Sequence, residues 1–104
     1  MNFLPVFLRL EQQPCLVIGG GEVAARKVQL LLRAGAQVTL VAPELCTSLH
    51  RLHADQHVEW FHREFSESDL DGAVLVVAAT NVAAVNRSVS GLARHRCLSV
   101  HVVD

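Results

Sequence analysis

Three features of the 104-residue sequence predict an α/β fold, an open parallel sheet of about five strands with helices on both faces. Short apolar runs alternate with segments whose apolar residues recur at helical spacing. One run, Ala73 to Ala79, is wholly apolar, as a strand covered on both sides requires. The first run breaks into Gly19-Gly20-Gly21 and then resumes as an alanine-rich helical segment. At this length the chain makes one domain, residues 1–104, with a single core.

Leu16 to Ile18 form the first buried strand. Beyond the glycines, Ala24, Val28, Leu31 and Leu32 define one helical face, Arg26, Lys27 and Arg33 take the other, and Gly35 supplies the stop. Val38 to Val41 form the second strand, ended by Ala42-Pro43, and Pro43 suits the first turn of a helix carrying Leu45, Leu49 and Leu52. Val58, Trp60 and Phe61 mark a shorter, half-exposed third strand. Ser66-Glu67-Ser68-Asp69 has the form of a capping box over a short helical turn that precedes the fourth strand, Ala73 to Ala79. Thr80-Asn81 then caps a helix with Val82, Val85, Val89 and Leu92 on one side, and Leu98 to Val103 make the fifth strand, with Asp104 at its end. Right-handed crossovers restrict the spatial order to third, second, first, fourth, fifth.

Composition excludes several classes of function. A hydrophobic content of 51% with 18% charged residues is that of a globular protein, and the apolar runs are too short to span a bilayer. With a net charge of −1 and a pI near 6.6 there is no electrostatic footprint for nucleic acid or an anionic membrane. The segment Met1 to Leu10 is apolar but lacks a positive leader and is interrupted by Pro5 and Arg9, so it reads as mature structure. Cys15, Cys46 and Cys97 are widely spaced, and two of them fall in predicted buried strands. They read as inert core thiols of a protein in the reducing cytosol.

The segment Cys15 to Ala24 reads as a dinucleotide-binding turn of a Rossmann-like domain. Gly19 makes the tight strand-to-helix turn, Gly21 lets the backbone approach a pyrophosphate, and Ala24 fills the third small position. The following helix N-terminus favours an anion through its free N–H groups and dipole. In the predicted order, the loops after strands one, two, four and five converge on one edge holding Gly19 to Val23, Pro43-Glu44, Thr80-Asn81 and Asp104. Glu44 lies near the offset at which such folds place an acid on the adenosine ribose, with no basic residue beside it, which favours NAD over NADP. Its other reading is a carboxylate in the first turn of the second helix. Asp104, by position alone, is either a proton-transferring acid beside the nicotinamide or a solvated residue.

His50, His53, His57 and His62 have suggestive spacings but no nearby Cys or carboxylate cluster, so they read as a polar helix face and loop rather than a metal shell. His101 alternates with Val100 and Val102 and reads as a satisfied sheet histidine. The absence of tyrosine excludes a tyrosine–lysine proton relay in this chain. Ser88, Ser90 and Ser99 lack the glycine-flanked elbow of a hydrolase nucleophile.

The whole pattern resembles the N-terminal domain of siroheme synthase. The resemblance is carried by Leu4-Pro5-Val6-Phe7, Val17 to Lys27, Leu31 to Ala36, Val41-Ala42-Pro43-Glu44-Leu45, Asp71-Gly72, Val76 to Asn81, Asn86 and Val102-Val103-Asp104. It implies NAD-dependent oxidation of precorrin-2 to sirohydrochlorin, followed by insertion of ferrous iron, a substrate rather than a bound cofactor, to give siroheme. By position it places Glu22-Val23 and Pro43-Glu44 against NAD, Ala79-Thr80 along the cofactor site, and Asp104 as the catalytic aspartate. His101 departs from the family's usual Asn. The family's dimerisation segment and much of its tetrapyrrole pocket lie beyond position 104, the full-length form is expected to be a homodimer, and many members carry a C-terminal methyltransferase. The competing readings are a non-catalytic NAD-sensing module, which the same layout also serves, and a structural domain with a vestigial crevice.

Overall fold

The computed structural model describes residues 9–103. Five strands, β1 (Pro14–Ile18), β2 (Gln37–Ala42), β3 (Val58–His62), β4 (Leu75–Ala78) and β5 (Ser99–Val102), form one sheet in the order β3-β2-β1-β4-β5. Every pairing is parallel, with Val17 opposite Leu40 on one side and Val77 on the other. Helices α1 (Glu22–Arg33), α2 (Thr47–Ala54) and α3 (Ala83–His95) and a 3-10 helix, Glu67–Leu70, connect the strands. Class and strand order are those expected from the sequence.

The period-2 alternation of the central strands divides the core into two layers. Cys15, Val17, Val38, Leu40 and Val77 pack with Ala24, Val28, Leu31 and Leu49 of α1 and α2. Leu16, Ile18, Val41, Val76 and Ala78 pack with Leu70, Val89 and Ala93 on the opposite face. Central strands buried on both sides explain why the sequence shows continuous apolar runs there. Cys15, inside the first layer, has its thiol pKa pushed up by burial.

All three helices end in the same hydrogen-bonded reversal. At the end of α1, Gly35 N–H bonds the Leu32 carbonyl and Ala36 N–H bonds that of Leu31, with Gly35 at φ +82. The ends of α2 and α3 repeat the pattern with Gln56 (φ 62) and Cys97 (φ 58) in the left-handed position. Cys97 is therefore an exposed residue of the α3–β5 turn and Cys46 is half-buried, so of the three cysteines expected to be core thiols only Cys15 is buried.

Three other boundaries differ from expectation. Pro43 to Leu45 are not helical, since α2 begins at Thr47; the Cys46 N–H is held by the Gly20 carbonyl at 2.7 Å, which pins the preceding residues against the glycine turn. Glu44 therefore does not stand in the first turn of α2. Val82, rather than Thr80 or Asn81, is the N-cap of α3, because the Thr80 side chain is bound elsewhere. The fourth strand is shorter than the apolar run, as Ala73 still closes the preceding turn through the Leu70 carbonyl.

The expected capping box is present, with Ser66 N–H donating to Asp69 Oδ2 at 2.8 Å. Asp69 also accepts from Arg63 in a two-pronged ion pair, one arm of which, Arg63 Nη1 to Oδ2, measures 2.7 Å. The hydrogen bonds from Arg63 first, and from the Ser66 amide, hold the Asp69 carboxyl below its usual range. A depressed folded-state pKa stabilises the fold above the unfolded value of about 4, and that contribution disappears as pH falls through the folded value. Asp69→Asn is expected to lower Tm by a few degrees at pH 7 and to flatten the fall of Tm in acid. Melting curves from pH 7 to pH 2 check this, and parallel curves for the two proteins would contradict it.

Candidate functional site

Because all five strands are parallel, their carboxyl ends share one edge, where the loops at residues 19–21, 43–46 and 79–82 meet. Gly19 N–H donates to the Val41 carbonyl at 3.0 Å, and Ala79 N–H to that of Ile18 at 2.9 Å, so pairing continues past the strands. A Cβ at Gly19 would stand 2.5 Å from the Ala79 carbonyl oxygen, and φ there is +133. Only glycine fits this turn.

The other two glycines divide the remaining work differently from the sequence expectation. A Cβ at Gly20 would lie 1.8 Å from the Glu44 carbonyl oxygen, so this residue lets the β2–α2 loop seat on the turn. Sequence reasoning gave Gly20 no role, since the contact is with a backbone 24 positions away and has no local signature. Gly21 has nothing within 4 Å of its Cβ position and is the N-cap of α1. The first intrahelical bond runs from Ala25 N–H to the Gly21 carbonyl. The N–H groups of Glu22, Val23 and Ala24 precede it and have no helical partner. An open backbone cradle with unpaired donors and the positive end of a 12-residue helix is suited to a pyrophosphate.

The structure brings Gly19, Gly21, Glu22, Val23, Pro43, Glu44, Ala79 and Thr80 to this edge. Glu22, Val23, Pro43 and Glu44 are exposed along the rim, Ala79 is buried beneath it, and Thr80 is half-buried. Asp104 lies outside the described residues; Val103, just before it, donates its N–H to the Ala78 carbonyl at 2.9 Å, which joins the end of β5 to that of β4. Besides Gly20, two supporting side chains were not singled out for the site from sequence. Trp60 donates its indole N–H to the Ala42 carbonyl at 2.9 Å, where β2 gives way to the Pro43 loop, and Asn86 holds Thr80.

His50 and His53 meet the Trp60 ring edge-on, each at 5.4 Å between centroids, and His62 stacks on it at 4.5 Å. Among the described residues no group of three His, Cys, Asp or Glu side chains is arranged to hold a metal. His101 is exposed on β5 rather than enclosed in the sheet. Desolvation, and then the Lys27 ammonium of α1, hold its pKa below the usual value. Two concavities, of about 360 and 420 Å³, lie away from the glycine turn: one against the opposite sheet face beside Phe61 and Asp69, the other between α1 and α2.

This sheet order, with a glycine turn opening onto a helix N-terminus at the carboxyl edge, defines a Rossmann-like domain of the dinucleotide-binding class. Residues 6–104 match the model of the family described as "Putative NAD(P)-binding". The chain belongs to that family. It is 51% identical over 104 residues to the siroheme synthase of Thioalkalivibrio sulfidiphilus, covering all of this chain and 21% of that protein. The siroheme synthase of Methylobacillus flagellatus is likewise 51% identical over 104 residues, 22% of its length. The chain thus spans about a fifth of the length of these curated relatives. Among solved structures, SirC, precorrin-2 dehydrogenase, superposes with a TM-score of 0.79 at 33% identity, over 85% of this chain and 44% of that one. In the described residues no helix is long and apolar enough to cross a membrane.

The glycine geometry predicts a separable mutational pattern. Gly20→Ala forces backbone apart and lowers Tm by about 10 °C, the scale of a 1–3 kcal/mol strain in a small domain, whereas Gly21→Ala meets no atom and loses only a favoured N-cap residue, a smaller drop of a few degrees. Thermal melts of the two variants check it, and equal Tm values would contradict the assignment of Gly20 to loop seating.

Proposed function

We propose that this chain is the NAD-binding domain of a siroheme synthase and takes part in the NAD-dependent oxidation of precorrin-2 to sirohydrochlorin. The observation that carries the reading is the likeness to siroheme synthases along all 104 residues. The open cradle at Gly21 supports it, since it fits the pyrophosphate the reaction needs. Gly19, Gly21, Glu22 and Val23 hold the phosphate-proximal part of NAD, Pro43 and Glu44 flank the adenosine ribose, and Ala79 and Thr80 form the opposite wall. Glu44, exposed and without a neighbouring cation in sequence, favours the free ribose hydroxyls of NAD over the 2′-phosphate of NADP.

The bound dinucleotide supplies a hydride acceptor. Oxidation of the tetrapyrrole releases one hydride and one proton, and the Asp104 carboxylate takes the proton. In the chelatase reaction ferrous iron enters as substrate while two pyrrole N–H protons leave, and the same carboxylate assists their removal, so the protein needs no resident metal. Siroheme synthase is in this reading a multifunctional, cytoplasmic homodimer, an oxidoreductase and lyase, with neither nucleic acid nor membrane as partner. The relatives are named for synthesis and dehydrogenation, which favours this reading over a sensing module.

Calorimetric titration of the chain is expected to show binding of NAD and weaker binding of NADP, with Gly21→Ala reducing NAD affinity by at least about tenfold, the effect of losing roughly 1.4 kcal/mol. No heat of binding with millimolar NAD would overturn the dinucleotide reading. In the full-length protein, Asp104→Ala is expected to abolish precorrin-2 oxidation with NAD binding retained, and unchanged turnover would remove Asp104 from the chemistry.

A further inference from the structure

Asn86 is one of two polar residues buried among the described residues, the other being Ser90. It is the fourth residue of α3, on the face that buries Val89 and Ala93. Asparagine is a poor helix former, and an unpaired buried amide is costly, so its presence calls for a compensating set of bonds. Every bond of that set goes to a single residue. Asn86 Oδ1 accepts the Thr80 N–H at 3.0 Å and the Thr80 hydroxyl at 2.7 Å, while Nδ2 donates to the Thr80 carbonyl at 3.0 Å. The Thr80 hydroxyl in turn accepts the Val82 N–H at 3.2 Å, which closes the turn into α3.

We propose that Asn86 is a positioning residue of the dinucleotide site, fixing the β4–α3 loop through Thr80 so that Ala79 stays seated against the glycine turn. The inference rests on the NAD-binding reading above and concerns a residue that does not touch the ligand. Its reach follows from the tightness of the neighbouring contact. A Cβ added at Gly19 would stand 2.5 Å from the Ala79 oxygen and 3.2 Å from the Thr80 nitrogen, so the Ala79–Thr80 backbone lies directly over the glycine turn and a shift of Thr80 changes the wall the turn faces. A second consequence is that Thr80 shapes the crevice wall without donating to the cofactor. Its N–H is held by Asn86, and its hydroxyl proton by Asn86 Oδ1 at 2.7 Å or the Val82 carbonyl at 3.0 Å, both within the protein.

NAD titration and thermal melts of the whole chain test this with Asn86→Ala, Thr80→Val, the double variant and Thr80→Ser. Thr80→Val, which loses one bond to Asn86, is expected to weaken NAD binding about tenfold, and Asn86→Ala, which loses all three, by at least as much. The double variant is expected to bind about as Asn86→Ala does, because that change already removes the one bond to Asn86 that Thr80→Val removes. Thr80→Ser, which keeps the hydroxyl, recovers most of what Thr80→Val loses. In the full-length enzyme the loss appears as a raised KM for NAD with a smaller change in kcat. If Asn86→Ala fails to fold, the contrast between Thr80→Val and Thr80→Ser decides the matter. A lowered Tm with unchanged NAD affinity in both single variants overturns the positioning role while leaving the NAD-binding reading intact. Absence of binding by the wild type overturns both.

Discussion

The site depends on backbone touching backbone where β1, β2 and β4 end. The Gly19 and Gly20 Cα atoms lie so close to the Ala79 and Glu44 carbonyls that neither glycine has room for a methyl group. Three loops that are remote in sequence thereby form one continuous rim. The strand pairing imposes this closeness, since β1 is hydrogen-bonded to β2 on one side and to β4 on the other. Parallel neighbours about 4.8 Å apart leave little space between the chains that emerge from them. The central position of β1 is therefore what makes its turn the natural place for glycine, and the two-layer burial of its side chains holds that position.

Much of this was legible in the sequence because it follows from strong local signals. Wholly apolar strands, one 3.6-period helix between strands one and two, and a glycine run at the junction led to the right class and the right strand order. The features that were not legible arise from contacts without local markers. The ends of α2 and α3 carry Gln56 and Cys97 at the position where α1 has Gly35, so sequence showed a stop for only one helix of the three. Pro43 suits a helix start, yet the Cys46 amide is claimed by Gly20 and the helix begins later. Gly20 itself looked like filler between two glycines with known roles. Its requirement comes from Glu44, which meets it only after β2 has been placed. Of the candidate site, the glycine turn and its rim residues stood out in the sequence. The support at Trp60 was indistinguishable from an ordinary half-exposed strand residue, and Asn86, though among the residues that carry the resemblance, showed nothing of its bonds to Thr80.

Those supports also explain where the free hydrogen-bonding capacity of the edge remains. Trp60 occupies the Ala42 carbonyl at the end of β2, Cys46 occupies that of Gly20, and Asn86 takes up the polar groups of Thr80. Buried or half-buried backbone groups at a crossing of loops must find partners, and here they find them within the protein. The donors at the start of α1 have no such partner, because the helix that would have used them begins at Gly21. Unpaired donors grouped at one helix N-terminus, with the helix dipole behind them, concentrate the affinity of the rim for an anion there. The same economy leaves Glu22 and Glu44 as exposed carboxylates on the rim, while the polar groups of Thr80 are taken up within the protein. The far end of the edge is tied in the same way, since Val103, the residue before Asp104 in the sequence, bonds the Ala78 carbonyl and so joins the end of β5 to that of β4.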